Sequence, residues 1–270
     1  MTERLDLGSI ARGQGVRLLD LEDVDSTNDE ARRLIAGGER GPLWIVAARQ
    51  KKGRGRLGRD WISPPGNLFA SLILHDIGDV STAPQLGFVT GVAAMRALKA
   101  LGFSAGATLK WPNDLLLDGA KLGGVLLETV TVPTGDLRAP VAPVAIIGIG
   151  VNCATAPDHL PYPARALSAR GPDAPTRDTF FAALSDAFVE TLAVWRGGEG
   201  FAQLRAEWLQ YAAGLGEIIR VALAHETIEG RFDAIDAAGR LMLTTASGVR
   251  TIEAGDVLIG PRHAITEALV

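Results

Sequence analysis

The sequence predicts an α+β protein: a mixed β-sheet with flanking helices over residues 1–213, then a small all-β barrel over 214–270. Three observations predict it. Apolar runs of strand length alternate with stretches of helical spacing as far as about residue 212. Past Gly214 the helical spacing disappears, and the short runs EIIRVAL, TIEGRFDAI, GRLMLTT, VRTIEA and DVLIG follow one another between turns. The composition, 47% hydrophobic and 21% charged over 270 residues, supplies enough apolar material for one large domain and one small one.

The elements follow in chain order. Residues 1–20 are too short for a domain. Thr27-Asn28-Asp29-Glu30 reads as a capping box that opens a helix over Asn28 to Ala36, ended by Gly37-Gly38. Leu43 to Ala48 and Leu68 to Leu74 are apolar runs suited to buried strands. Leu86, Val89, Ala93, Ala97 and Leu101 lie on one face of a helix over Thr82 to Leu101, stopped by Gly102. Thr108 to Trp111, Leu115 to Leu117 and Gly124 to Val130 read as strands, with Asp118-Gly119 as a hairpin turn. Residues 131–143 hold three prolines and read as an exposed loop, and Val144 to Val151 as a central strand. His159 to Arg177 reads as a mobile loop, and helices are expected at about 178–196 and 201–212.

Composition narrows the function. A net charge of −4 gives no global attraction to nucleic acid or to anionic membranes. One cysteine, Cys153, allows no intramolecular disulfide, as expected in a reducing compartment. The start MTERLDLGSI has no apolar signal-peptide core. The longest apolar run, Val141 to Val151, is shorter than the roughly 18–20 residues of a membrane span. The expected location is the cytoplasm.

Three segments carry chemistry. In Lys51-Lys52-Gly53-Arg54-Gly55-Arg56-Leu57-Gly58-Arg59-Asp60-Trp61, five of the first nine residues are cationic and three are glycine. Glycine lets backbone N–H groups approach an anion, and arginine supplies planar charged donors. The segment is neither a Walker A loop nor a dinucleotide fingerprint. From charge alone, a solvated basic loop or nucleic-acid contact and a phosphate-binding loop stand level; Trp61 adds a stacking face. Free glycines and like charges lead us to expect a segment that is mobile alone and orders over an anion.

The second segment is Lys110-Trp111-Pro112-Asn113-Asp114, followed by Lys121-Leu122-Gly123-Gly124. Pro-Asn-Asp alone is more often a turn than a site. Lys121 reads equally as a snorkelling surface residue or an anion ligand. The third is Gly148-Ile149-Gly150-Val151-Asn152-Cys153, whose glycines mark either dense strand packing or the close approach of a ligand.

Together, and in this order, these segments resemble the catalytic domain of biotin protein ligases over about residues 20–155. The match includes Asp25-Ser26-Thr27-Asn28, Gln50, Gly53-Arg54-Gly55-Arg56-x-Gly58-Arg59-x-Trp61, Gly66-Asn67-Leu68, Lys110-Trp111-Pro112-Asn113-Asp114, Lys121-Leu122-x-Gly124 and Gly148-Ile149-Gly150-Val151-Asn152. The resemblance implies the biotin/lipoate ligase type of mixed sheet and an SH3-like C-terminal barrel. It also implies a type without an N-terminal DNA-binding domain, since the match starts near residue 20. The implied reaction uses ATP and Mg²⁺ to convert biotin to biotinyl-5′-AMP, then transfers biotin to a lysine of a biotin carboxyl carrier protein.

The implied roles are these. Ser26, Thr27, Asn28 and Gln50 hold the biotin head group, although the first three also read as helix caps. Arg54, Gly55 and Arg56 close over biotin and phosphate, and Gly124, Gly148 and Gly150 line the biotin site. Lys121 holds the carboxylate or the α-phosphate, Trp61 stacks near adenine, and Asn152 bonds its edge. Arg59, Lys110 and Asn113 complete the adenylate site, and Asp114 orients the incoming lysine. Mg²⁺ is expected mainly on the ATP phosphates. Neither a nucleic-acid nor a membrane partner is expected, and the chain is expected to be a monomer or a homodimer. A lipoate protein ligase is the alternative enzyme, and a nucleic-acid-binding regulator the alternative from another class.

Overall fold

The structure, a computed structural model, describes residues 5–134 and 141–258. Its first sheet has seven strands: β1 (Arg17–Val24), β2 (Leu43–Gln50), β3 (Leu68–Leu74), β4 (Ala107–Lys110), β5 (Asp114–Leu117), β6 (Ala120–Pro133) and β7 (Val141–Val151). Their order is β1-β2-β3-β7-β6-β5-β4. β1 pairs with β2 in parallel and the other pairs are antiparallel, so the sheet is mixed.

Both faces of this sheet are covered, which is why β2 and β3 read as continuous apolar runs rather than alternating ones. Helix α2 (Thr27–Ala36) packs Ala31 and Ile35 on Leu43, Ile45, Ile73 and Ile146. The opposite face takes α3 (Gln85–Ala100), α4 (Arg177–Trp195) and α5 (Phe201–Gln210). There Trp44 meets Phe181 and Phe188 edge-to-face, with ring centroids 5.6 and 5.7 Å apart. Short α1 (Ser9–Gly13) leans on α4, with Ala11 N–H donating to Asp186 at 2.8 Å.

The second sheet is all antiparallel: β8 (Ile218–Ala222), β9 (Thr227–Ile235), β10 (Leu241–Thr245), β11 (Gly248–Ile252) and β12 (Asp256–Leu258), ordered β11-β10-β9-β8-β12. Ile219, Val221, Phe232, Leu241 and Leu243 are buried in a core continuous with that of the first sheet. Trp111 Nε1 donates to the Gly239 carbonyl at 3.0 Å across the junction.

Several expectations need correction. Strand β1 is not among the expected elements, although Leu19 and Leu21 alternate with Asp20 and Glu22 at the sheet edge. Thr131, Val132 and Pro133 stand opposite Pro143, Ala142 and Val141, so much of the expected loop 131–143 is strand; residues 135–140 lie outside the described residues. Pro133 and Pro143 lie at the ends of the long β6–β7 ribbon, where proline is tolerated. The stretch expected to be a mobile loop from His159 is tethered in part: Lys121 N–H donates to the Pro163 carbonyl at 2.8 Å, and Arg165 N–H to the Lys121 carbonyl at 2.9 Å. A 3₁₀ turn, Leu167–Arg170, follows.

Candidate active site

A cavity of about 450 Å³ opens between the carboxyl ends of β2, the β6–β7 ribbon, the basic segment 54–61 and the edge of the second sheet. That is the size range of small-molecule sites. Its walls collect nearly every residue singled out from sequence: Ser26, Thr27, Asn28, Gln50, Arg54, Gly55, Arg56, Arg59, Trp61, Lys110, Asn113, Asp114, Lys121, Gly124, Gly148 and Gly150.

One end is a buried polar network on the first turn of α2. Ser26 is the residue before the helix, yet its side chain makes no cap bond. The expected capping box is absent: Thr27 Oγ1 donates instead to Gln50 Oε1 at 3.2 Å, and Glu30 bonds Arg33. Ser71 Oγ lies 2.7 Å from Thr27 Oγ1 and 2.5 Å from Asn28 Oδ1. Asn28 Nδ2 donates to Glu128 at 2.9 Å, which fixes its amide. These side chains turn inward because the sheet below gives them partners there. Ser71 was missed, yet it is the one polar residue inside the apolar run 68–74, and buried polar groups need partners.

The glycines of β7 make room for this network. A Cβ on Gly148 would lie 2.5 Å from Asn28 Oδ1, and one on Gly150 would lie 2.6 Å from the Trp61 ring. Both site side chains therefore sit where a strand would normally place its own. Gly150→Ala should displace the Trp61 indole and raise the substrate KM about tenfold, since overpacking costs about 1–3 kcal/mol; unchanged KM and Trp61 fluorescence would show that the indole does not depend on this glycine.

The other end is electrostatic. Asp114, buried, lies between two ammonium groups: Lys121 Nζ at 2.7 Å and Lys110 Nζ at 2.9 Å. Burial alone would push its carboxyl up, but the two lysines outweigh it and hold it below the usual carboxylate range. Asp114 is therefore ionised at neutral pH and a weak base, suited to orienting cations rather than removing protons. The Lys121 ammonium also lies 5.7 Å from the Trp61 ring centre and 5.4 Å from that of Tyr162.

The basic segment arches over this end. Arg54 makes two bonds to Asp29, at 2.7 and 2.5 Å. Arg56 Nη1 reaches Asn113 Oδ1 at 3.1 Å, and Arg59 pairs with Asp256. The segment expected to be mobile on its own is thus a turn whose arginines already have acceptors. Asp29, Tyr162 and Asp256 were also missed, because their partners are remote in sequence.

Asn152 stands apart. It is buried, and its amide points at the Lys121 and Arg165 carbonyls, at 3.5 and 3.4 Å, rather than at the cavity wall. Cys153 is also buried, its thiol pushed up to about 12 by desolvation, which leaves it inert.

A family model described as the biotin/lipoate A/B protein ligase family matches residues 22–152, and one for the biotin protein ligase C-terminal domain matches residues 214–260. A biotin–[acetyl-CoA-carboxylase] ligase of Paracoccus denitrificans is 38% identical over 251 residues, covering 89% of this chain and 99% of that one. The chain belongs to the biotin protein ligase family. Among solved structures, the family's enzyme from Aquifex aeolicus in complex with biotin and ATP aligns with a TM-score of 0.73 and 27% identity, over 90% of this chain and 97% of that one. That from Leishmania major in complex with biotinyl-5-AMP aligns at 0.58 and 26%, over 88% and 99%. The mixed sheet with flanking helices and the antiparallel C-terminal sheet are the family's architecture. No helix of the described residues is long and apolar enough to cross a membrane.

Proposed function

We propose that this chain joins biotin to ATP, forming biotinyl-5′-AMP and pyrophosphate, and passes biotin to a lysine of a biotin carboxyl carrier protein. The observation that carries this is the Lys110–Asp114–Lys121 triad at the arginine-covered end of a cavity whose other end is a buried polar network. A carboxylate must attack a phosphate, so two anions must meet, and fixed cations in a partly dry site favour that encounter. The network of Thr27, Asn28, Gln50 and Ser71 suits a ureido ring, which offers donors and an acceptor at one end of biotin. Biotin's carboxylate then lies toward Lys121.

In the first step a carboxylate oxygen attacks the α-phosphorus of MgATP, and pyrophosphate leaves with the electron pair of the broken bond. Lys121 faces the charge that grows on the phosphate, held in place by Asp114; Arg56 and Asn113 bound the same space. In the second step the carrier's lysine nitrogen attacks the acyl carbon, AMP leaves, and the amine gives up a proton. Asp114 attracts and orients the incoming amine. Magnesium would enter as MgATP, held mainly by the phosphates; of the three acidic residues that line the cavity, Asp60, Asp114 and Asp256, the last two are already engaged by lysine or arginine. We place the boundary between catalytic and C-terminal domains at 213/214.

The purified protein should release pyrophosphate from ATP and Mg²⁺ when given biotin. Release with lipoate but not with biotin would replace this reading with that of a lipoate protein ligase.

A further inference from the structure

The second sheet reaches the cavity through Ala222, Asp256, Val257 and Leu258, of which Asp256 is the charged one. Asp256, on β12, lines the cavity and pairs with Arg59; its carboxylate is also 3.9 Å from Arg56 Nη1, and the neighbouring Gly255 carbonyl is 3.5 Å from the same nitrogen. The arginine-glycine turn is therefore tied at both arms, with Arg56 also held by Asn113 between them. Arg54 anchors its first arm to Asp29 on α2, and Asp256 anchors its second arm to the C-terminal sheet. Apart from these side-chain ties, the turn has little hold of its own. The arms touch through Gly55 N–H to the Arg59 carbonyl at 2.7 Å, Leu57 is 79% exposed, and Leu57 and Gly58 are both in the left-handed region, at φ of 57° and 72°.

We propose that Asp256 is a positioning residue that holds the arginine-glycine turn closed over the cavity, so that the C-terminal sheet controls retention of the activated intermediate. What the turn covers rests on the proposed function; the tie itself rests on geometry alone. Asp256 acts through Arg56 and Arg59. Its carboxylate keeps their guanidinium groups from repelling one another across the mouth, and it offers a pivot about which Arg56 swings toward an incoming phosphate. A carboxylate that only balanced charge would oppose anion binding, and its removal would tighten MgATP with no effect on the turn. A latch predicts the reverse, a looser turn and a leakier site.

Asp256→Asn keeps the shape and removes the charge, and Asp256→Glu keeps the charge. Trypsin, which cuts after lysine and arginine, probes the turn without any substrate. The Asn variant should be cut within residues 51–59 about fivefold faster than the parent, as expected for loss of a half-exposed ion pair, and the Glu variant at close to the parent rate. Biotinyl-5′-AMP should dissociate from the Asn variant faster by a similar factor. The double variant Asp256→Asn with Arg59→Gln should be cut no faster than the worse single variant, because both remove one contact. Cleavage of the Asn variant at the parent rate, or additive effects in the double variant, would overturn the latch. A parent that makes no biotinyl-5′-AMP would overturn the proposed function and leave the cleavage comparison to judge the latch alone.

Discussion

Lys121→Ala should lose on the order of 10²–10³ in the rate of adenylate formation, the usual cost of deleting one preorganised electrostatic contact at a reacting group. The ammonium is held on three sides, by the Asp114 carboxylate at 2.7 Å and by the faces of Trp61 and Tyr162. A charge so held needs no reorganisation as negative charge grows on the phosphate. Removal should leave folding intact, since Asp114 keeps Lys110 at 2.9 Å. Biotin-dependent pyrophosphate release at saturating MgATP is the direct measurement, with a thermal melt as the folding control. Near-normal adenylate synthesis by a folded Lys121→Ala protein would show that the lysine is only a partner for Asp114. Lys121→Arg should recover a small part of the rate, because a fork cannot occupy the place of a point charge between two rings.

Arg54→Gly should make the site leak. Its guanidinium is committed to Asp29 through two bonds, so Arg54 serves by tying the covering turn to α2. Hydrogen bonds between charged groups contribute about 1.5–3 kcal/mol when sheltered, and less here because the pair is partly exposed. Biotinyl-5′-AMP should therefore dissociate about tenfold faster, while its rate of synthesis falls less. The released anhydride acylates exposed lysines, so the variant with biotin, ATP and serum albumin should label the albumin more heavily than the parent. Asp29→Asn should give the same phenotype in weaker form. The Arg54–Asp29 bond also holds Asp29 below the usual carboxylate range. A group whose pKa falls on folding stabilises the fold above its unfolded value and loses that contribution as pH falls through the folded one, so the tie persists at neutral pH and weakens only in acid. Parent-like retention and labelling in Arg54→Gly would mean that the turn does not cover the ligand.

Much of the fold was legible because its elements follow local rules. Leu68–Leu74 and the hairpin at Asp118-Gly119 appear where read, and α3 begins three residues later than read. Strand β1 was hidden because an edge strand, half-buried on both faces and interrupted by charges, carries a diluted apolar signal. The capping box failed because capping is decided by competition. Thr27 found Gln50 and Ser71 within reach, partners that β2 and β3 supply and that local spacing does not reveal.

The sequence by itself supplied the chemistry of the site as a set: the arginine-glycine run, the Lys110 to Asp114 segment with Lys121, and the two strand glycines, each open to a purely structural reading alone and specific only together. The tertiary structure decided how those charges are spent. It set Asp114 between two lysines, gave Arg54 to Asp29 and Arg59 to Asp256, turned Asn152 away from the cavity to the Lys121 and Arg165 carbonyls, and brought Tyr162 beside Lys121. The reason is range. Residue types and turns act over a few positions, whereas an ion pair is set by distances of a few ångströms between groups as remote as residues 59 and 256, which only the packing of the two sheets brings together.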